Sequence, residues 1–372
     1  MNSQFSPASK ARSLPARTGE LLAPWTYFDD EILALEKEHI FRKHWLFLCH
    51  ACEIPSPGDY LAFDIIDERV LVLRGDDGVV RTFHNICRHR GSRVVRDDAG
   101  NCPRAIACPF HGWTYDLKGN LRGVPAAKTF ANLDQSRVRL VEIEHEIWNG
   151  LVFIRFGGEG PSIAEMLRPL ESRLAPYRIA ELEPISARSR DVASVNWKAV
   201  HDIDNEGYHV PVGHPGLNSL VYDYLDEALE NGVFASFSTL KTELSPHWSV
   251  ARYQKLLPRA EHLPDEDQRS WWYVGIFPHV VFSLTPDMFD FYQTFPLETG
   301  KTLLVSRSYG LPNASRQTRA ARYLNMRINK QVSAEDRQLV RWLSESLRSS
   351  ALPREHLSST EACVTAYHDL IR

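Results

Sequence analysis

Cys87-Arg88-His89-Arg90-Gly91 and Cys108-Pro109-Phe110-His111-Gly112-Trp113 carry one chemistry twice: a thiol, an imidazole two or three positions on, then a glycine. Residues 90–107 separate the two halves. Each half offers one sulfur and one nitrogen from a turn-length segment, and the glycines allow the backbone to wrap closely around whatever is held. Four such ligands also satisfy one tetrahedral zinc ion. Structural zinc sites, however, commonly pair cysteine with cysteine and histidine with histidine. Here each half mixes the two.

Two thiolates on one iron and two imidazoles on the other is the ligation of a Rieske [2Fe–2S] centre, where neutral imidazoles lower the negative charge and raise the potential. The expected cluster ligands are Cys87, His89, Cys108 and His111. Cys102 falls outside both spacings and is read as a non-ligand, and His84 as structural. Cys49 and Cys52 form a C-x-x-C pair after the apolar run Trp45–Leu48; they are read as buried strand residues, and Cys363 as helix packing.

A second constellation is Glu206-Gly207-Tyr208-His209-Val210-Pro211-Val212-Gly213-His214. A helix there puts Glu206 and His209 on one face, at i and i+3. Pro211 interrupts a continuous helix, so His214 is expected from the following turn. Two histidines and a carboxylate make the facial triad of non-haem Fe(II), with positions open for oxygen.

Taken together, CRHRGSRV, CPFHGWTYDLKGNL and the order Asn196-Trp197-Lys198, acidic residue, Tyr208-His209, His214 resemble the oxygenase (α) subunits of Rieske non-haem iron oxygenases over nearly the whole chain. The nearest flavour is the group of carnitine and glycine-betaine monooxygenases. The resemblance implies that His209 and His214 bind the mononuclear iron. It assigns Glu206 as the carboxylate relaying electrons from one subunit's cluster to its neighbour's iron; the competing reading is a solvated helix carboxylate, like nearby Asp202 and Asp204. The third ligand in that family is an aspartate in a late Glu-Asp pair, which here is Glu335-Asp336 and gives Asp336. Helix capping by Ser333 explains an acidic pair at this place equally simply. Asp336 shares a helical face with Val340, Leu343 and Leu347, which points it inward.

Two departures stand out. Asp202-Ile203-Asp204 replaces a frequent Glu-Asn-Tyr, and Ser344-Glu345-Ser346-Leu347 replaces a Gln-x-Gly-Leu signature. Both weaken any transfer of substrate identity.

The fold implied is α+β: an all-β Rieske domain followed by a catalytic domain with an antiparallel sheet and helices, helix-grip-like. The activity implied is hydroxylation or oxidative dealkylation of a small organic substrate with O2. Electrons from NAD(P)H arrive through a separate reductase or a ferredoxin, because the chain has no Gly-rich dinucleotide fingerprint. A homotrimer is expected, since the relay crosses between subunits. The alternatives are a cis-dihydroxylating arene dioxygenase α subunit, a Rieske electron-transfer protein and a zinc-stabilised binding module.

Length and composition agree with this. The 372 residues exceed one compact core. The expected division is an N-terminal arm and helix (1–44), a Rieske domain (45–157) and a catalytic domain (162–372), with Gly157–Pro161 as linker. Strands are expected between 45 and 156 and at about 234–244, 247–256, 271–284 and 288–309; helices at about 27–44, 163–174, 314–330, 333–348 and 359–370. A net charge of −4 speaks against a nucleic-acid partner. No apolar stretch is long enough to span a membrane, and the arm bearing Lys10, Arg12 and Arg17 lacks a signal-peptide core, so a cytoplasmic location is expected. Trp271, Trp272, Tyr273, Phe277, Phe282, Phe289, Phe291 and Tyr292 crowd the late strands. They are expected mainly in the core, with a pocket for an arene or quaternary ammonium as the alternative.

Overall fold

A computed structural model describes residues 20–352 and 357–372. The basic N-terminal arm lies outside the described residues. The chain divides into two compact units, residues 47–158 and residues 20–46 joined with 159–372.

The smaller unit is all β. Strands β2 (Asp59–Ile65), β3 (Glu68–Arg74), β4 (Val80–His84) and β5 (Ala99–Asn101) form one antiparallel sheet in the order β4-β3-β2-β5. A three-stranded sheet holds β1 (Leu46–His50), β9 (Glu144–Trp148) and β10 (Leu151–Arg155). Asn149 and Gly150, both at positive φ, make the two-residue turn that pairs Trp148 with Leu151. A third small sheet joins β6 (Ile106–Ala107), β7 (Thr114–Tyr115) and β8 (Leu121–Gly123). On β2 the buried side chains are Tyr60, Ala62 and Ile65, the first two paired with Leu73 and Leu71, while Leu61 and Phe63 are only half-buried. Cys49 is a buried strand residue, but Cys52 sits half-buried in the short 3-10 turn Ala51–Glu53, because the strand ends at His50.

The larger unit is built on an antiparallel sheet in the order β11 (Glu183–Pro184), β18 (Lys301–Gly310), β17 (Phe289–Glu298), β16 (Val280–Leu284), β15 (Ser270–Ile276), β14 (Val233–Thr239), β13 (Leu225–Ala228), with β12 (Ser189–Ala193) also paired to β18. Period-two alternation sends Phe289 and Phe291 to one face of β17 and Asp290 and Tyr292 to the other. Across the strands Ser236, Tyr273, Ser283 and Asp290 stand in direct register, so one row of polar side chains crosses the sheet.

Several expectations change. Residues 247–256 form a helix, Trp248–Leu256, rather than a strand: Val250 and Tyr253, three apart, are its buried face. The expected 271–284 strand is split into β15 and β16 by the Phe277-Pro278-His279 turn, where Pro278 has no N–H to give a ladder. The helix expected at 27–44 is Asp30–Glu36 followed by a π turn over Lys37–Phe41. The two helices expected at 314–330 and 333–348 are one, Arg316–Ser346, which has no internal Gly or Pro. Its cap is Ser315, which accepts from Thr318 N, while the Ser333 hydroxyl bonds Asn329 O in mid-helix. Asp336 is therefore an interior helical residue, not a first-turn acid. Val340 is buried beneath it, but Leu343 is exposed. The expected helical Glu206–His209 segment is non-helical: the helix Trp197–Asp204 stops at Asn205.

Candidate metal centres

In the smaller unit two loops repeat one hydrogen-bond pattern. Gly91 N donates to Cys87 O and Cys87 N to Ser92 O; Gly112 N donates to Cys108 O and Cys108 N to Trp113 O. Both glycines take a positive φ, +76° and +71°, which L side chains rarely adopt. The loops bring His89 Nδ1 to 3.2 Å from His111 Nδ1. The Cys87 and Cys108 thiols also lie close enough to perturb each other. Burial pushes the Cys87 thiol up, opposed by the Tyr115 hydroxyl, which lies 3.3 Å from its sulfur. That hydroxyl also accepts from Arg88 N. Desolvation and the neighbouring His111 hold His89 below its ordinary value, which favours the neutral, ligating imidazole. Trp113 stacks on its ring at 4.9 Å.

This donor set fits a two-iron cluster better than one zinc ion. Bond lengths of about 2.0–2.3 Å put all ligand atoms of a tetrahedral zinc within about 4 Å of one another. Among the described residues the one group of three or more His, Cys, Asp or Glu ligand atoms mutually within 4.8 Å is His209, His214 and Asp336. The cysteine pair and the histidine pair therefore stand apart, as a cluster with sulfur at one end and nitrogen at the other requires. Cys102 is half-buried beneath this core, and His84 Nδ1 faces Glu68 Oε2 at 3.2 Å.

In the larger unit Asn196 caps the helix Trp197–Asp204 by accepting from Lys198 N. Beyond Asn205, Glu206 folds back so that its carboxylate accepts from His209 N at 3.0 Å and meets His209 Nδ1 at 2.5 Å. The side chain thus does what a helix would have done with backbone. Asp226 fixes the same turn by accepting from Gly207 N and from the Ser236 hydroxyl. His214 leads out of the single turn Val210–Gly213. A Cβ on Gly207 would lie 2.8 Å from Tyr224 Cβ, so the close approach of these segments needs the glycine.

His209 Nε2 and His214 Nε2 are 3.1 Å apart, and Asp336 Oδ1 is 2.8 Å from His214 Nε2 and 3.7 Å from His209 Nε2. Asp336 Oδ1 is buried yet makes no hydrogen bond of proper geometry. The three ligand-type atoms lie within 4.8 Å of one another, close enough to share one ion. Each histidine turns its other nitrogen to a carboxylate, His209 to Glu206 and His214 to Glu335 at 2.8 Å, an arrangement that fixes the ring and raises ligand basicity. Burial works against charging His214, but Asp336 and Glu335 outweigh it and raise its pKa. The pocket draws in positive charge, and the donors fit a divalent iron.

The point of convergence opens on a cavity of about 170 Å³, lined by Asp204, Tyr224, Tyr273, Ser283, Asp290 and Tyr292 among others. Of the crowded aromatics, Tyr273 and Tyr292 line it; Trp271, Phe277, Phe282, Phe289 and Phe291 are core. Sequence reasoning missed three features. Glu335 holds a ligand-type histidine, and the adjacent Glu-Asp pair was the only signal for it. Asp202 is not solvated: it accepts from Tyr27 OH and meets His368 Nε2, both at 2.7 Å. Asp204 faces the cavity, since the helix ends there and turns its last carboxylate inward.

Residues 179–372 match the catalytic domain of the ring-hydroxylating α-subunit family, and residues 44–139 match the Rieske [2Fe–2S] domain. The chain is 34% identical over 252 residues to the glycine betaine monooxygenase oxygenase subunit of Chromohalobacter salexigens, covering 67% of this chain and 55% of that protein. To the carnitine monooxygenase oxygenase subunit of Escherichia coli K12 it is 26% identical over 330 residues, covering 88% and 80%. The chain thus spans a little over half the length of its glycine betaine relatives. In fold it is similar to a crystal structure of a quaternary ammonium Rieske monooxygenase, with a TM-score of 0.81 at 22% identity over 96% of this chain and 95% of the other. With its catalytic domain matched over more than half its length and a Rieske domain ahead of it, the chain belongs to the ring-hydroxylating oxygenase α-subunit family.

Proposed function

We propose that this chain is the oxygenase component of a multicomponent cytoplasmic system that uses O2 to hydroxylate, or oxidatively dealkylate, a small organic substrate. Cys87, His89, Cys108 and His111 hold the [2Fe–2S] cluster, and His209, His214 and Asp336 hold the mononuclear iron. When bound, the cluster supplies one-electron transfer and the Fe(II) supplies oxygen activation. The observation that carries the reading is the gathering of three ligand-type atoms in the lining of one cavity.

The surrounding residues support this chemistry. Glu206 and Glu335 stand against Nδ1 of each ring, where accepting from an Nδ1–H leaves Nε2 free to ligate. Tyr224, Tyr273 and Tyr292 wall the substrate space and limit water. Glu206 is the relay between one protomer's cluster and the next protomer's iron, in a homotrimer. Tyr208 and Val212, 65% and 87% exposed beside it, present apolar surface suited to burial by a second copy. A separate reductase delivers the electrons. Among the described residues no helix is long and apolar enough to cross a membrane, and all six cysteines are free, as a reducing compartment keeps them.

Iron-loaded protein, a compatible reductase and NADH should show substrate-dependent oxygen uptake with at least one compound of a diverse panel. His209→Ala should keep the cluster's visible absorption and abolish that uptake. Retained turnover in this variant overturns the site assignment.

A further inference from the structure

We propose that the molecule turned over beside His209, His214 and Asp336 is a small protonated amine, whose N–H groups are received by Asp204 and Asp290. The proposal rests on the oxygenase reading above and narrows its substrate class.

Charge balance is the first argument. Asp204, Glu206, Asp290 and Asp336 line the cavity, and no Lys or Arg is among its lining residues. A divalent iron matches only part of that negative charge, and Glu206 is already committed to His209. Among the described residues neither Asp204 nor Asp290 forms an ion pair with a Lys or Arg, and Asp204 has only the Tyr292 hydroxyl beside it. Asp290 accepts one long hydrogen bond, 3.3 Å from Asn329 Nδ2. Buried carboxylates in that condition are costly unless something pairs with them. Burial raises both carboxyls, Asp204 to about 8 with Asp336 nearby and Asp290 to about 7 with Asp287 nearby, so water does not compensate them.

The second argument is the lining. Ser283, only 5% exposed, faces Asp290 across β16 and β17, and its hydroxyl has no hydrogen-bond partner. The tyrosine rings are surfaces on which an ammonium is held by its attraction to the π face. The floor is thus aromatic and acidic with a spare polar group.

The third argument is what the cavity lacks. A carboxylate on the substrate would meet four protein carboxylates and no basic side chain. That disfavours zwitterionic amino acids and betaines, even though relatives of this chain are named for glycine betaine and carnitine. A quaternary ammonium has no N–H to donate, so it would give neither aspartate a hydrogen bond. A protonated primary, secondary or tertiary amine meets both requirements.

Three probes of similar size test this without turnover: N-methylbenzylamine, its uncharged isostere benzyl methyl ether, and benzyltrimethylammonium. Binding to anaerobic, iron-loaded protein is followed by calorimetry. The amine should bind at least about tenfold more tightly than either analogue, and Asp290→Asn or Asp204→Asn should erase most of that preference. Equal binding of the ether or of the quaternary ion, or no binding of the amine, overturns the proposal; this comparison needs no variant, so a misfolded mutant does not obscure it. Amine-selective binding without amine-dependent oxygen uptake likewise overturns the substrate assignment, whereas oxygen uptake with another compound of the panel would keep the oxygenase reading standing.

Discussion

His214 stands 2.8 Å from Asp336 through Nε2 and 2.8 Å from the adjacent Glu335 through Nδ1, so two consecutive carboxylates on one helix hold opposite corners of one ring. Their roles differ. Asp336 faces the metal point, whereas Glu335 holds the ring. Asp336→Ala should lower iron from about three to about two atoms per chain while the cluster spectrum stays unchanged. Glu335→Gln should keep the third iron but weaken its binding roughly 10–100-fold, read by chelator competition. Equal losses in both variants would contradict the division.

Glu206→Gln removes the carboxylate that meets His209 Nδ1 but leaves an amide able to accept one hydrogen bond. Iron content and cluster absorption should persist, while single-turnover product formation falls by roughly 10²-fold or more. Substrate binding should hardly change. A variant with near-normal turnover would remove Glu206 from the relay.

Tyr115 gives the cluster unit a test of its own. Its hydroxyl lies against Cys87 Sγ, and hydrogen bonds to cluster sulfurs stabilise the more negative, reduced state. Tyr115→Phe should leave the cluster assembled and lower its reduction potential by roughly 30–60 mV, since 59 mV corresponds to a tenfold change for one electron. Redox titration of the visible bands measures it.

Asp290 carries a pH signature. Burial, with Asp287 nearby, raises its carboxyl to about 7, against an ordinary 3.8. Between those values the unfolded chain releases the proton while the folded one keeps it, so folding loses stability as pH rises, and the loss is complete above about 7. Asp290→Asn should therefore raise the melting temperature of the larger unit by a few degrees at pH 8, on the order of 2–4 kcal/mol at most. The gain should shrink toward zero near pH 4. A constant gain at all pH values would contradict the titration.

Lys198 Nζ meets Glu36 Oε1 at 2.5 Å with the lysine fully buried, and Trp197 Nε1 donates to Glu36 Oε2 at 2.7 Å. This pair anchors the helix that leads to Glu206. Lys198→Ala should destabilise by about 3–5 kcal/mol, because it strands a buried carboxylate, whereas Lys198→Met with Glu36→Leu should come close to neutral. Denaturant melts of the single and double variants separate the two outcomes.

The alternation of thiol and imidazole around Cys87 and Cys108, and the acid–His–His spacing from Glu206 to His214, were readable from the chain because each is local: turn-length segments with glycine where backbone must bend. The α+β class was readable for the same reason, from periods of two and of three to four. Residues 248–256 misled because aromatic and β-branched side chains favour strands, while only burial reveals that Val250 and Tyr253 share a helical face. The long helix was read as two because Ser333 looks like a cap, and no local signal says that its hydroxyl bonds backward. What tertiary structure alone decided is which acids work together. Asp204 and Asp290 come from a helix end and a strand far apart in sequence, and only the sheet register and the packing of the Arg316–Ser346 helix, which carries Asp336, bring them round one cavity. Their charge is encoded residue by residue, whereas their lack of counter-ions, which gives the cavity its preference, exists only once the chain has folded and excluded water.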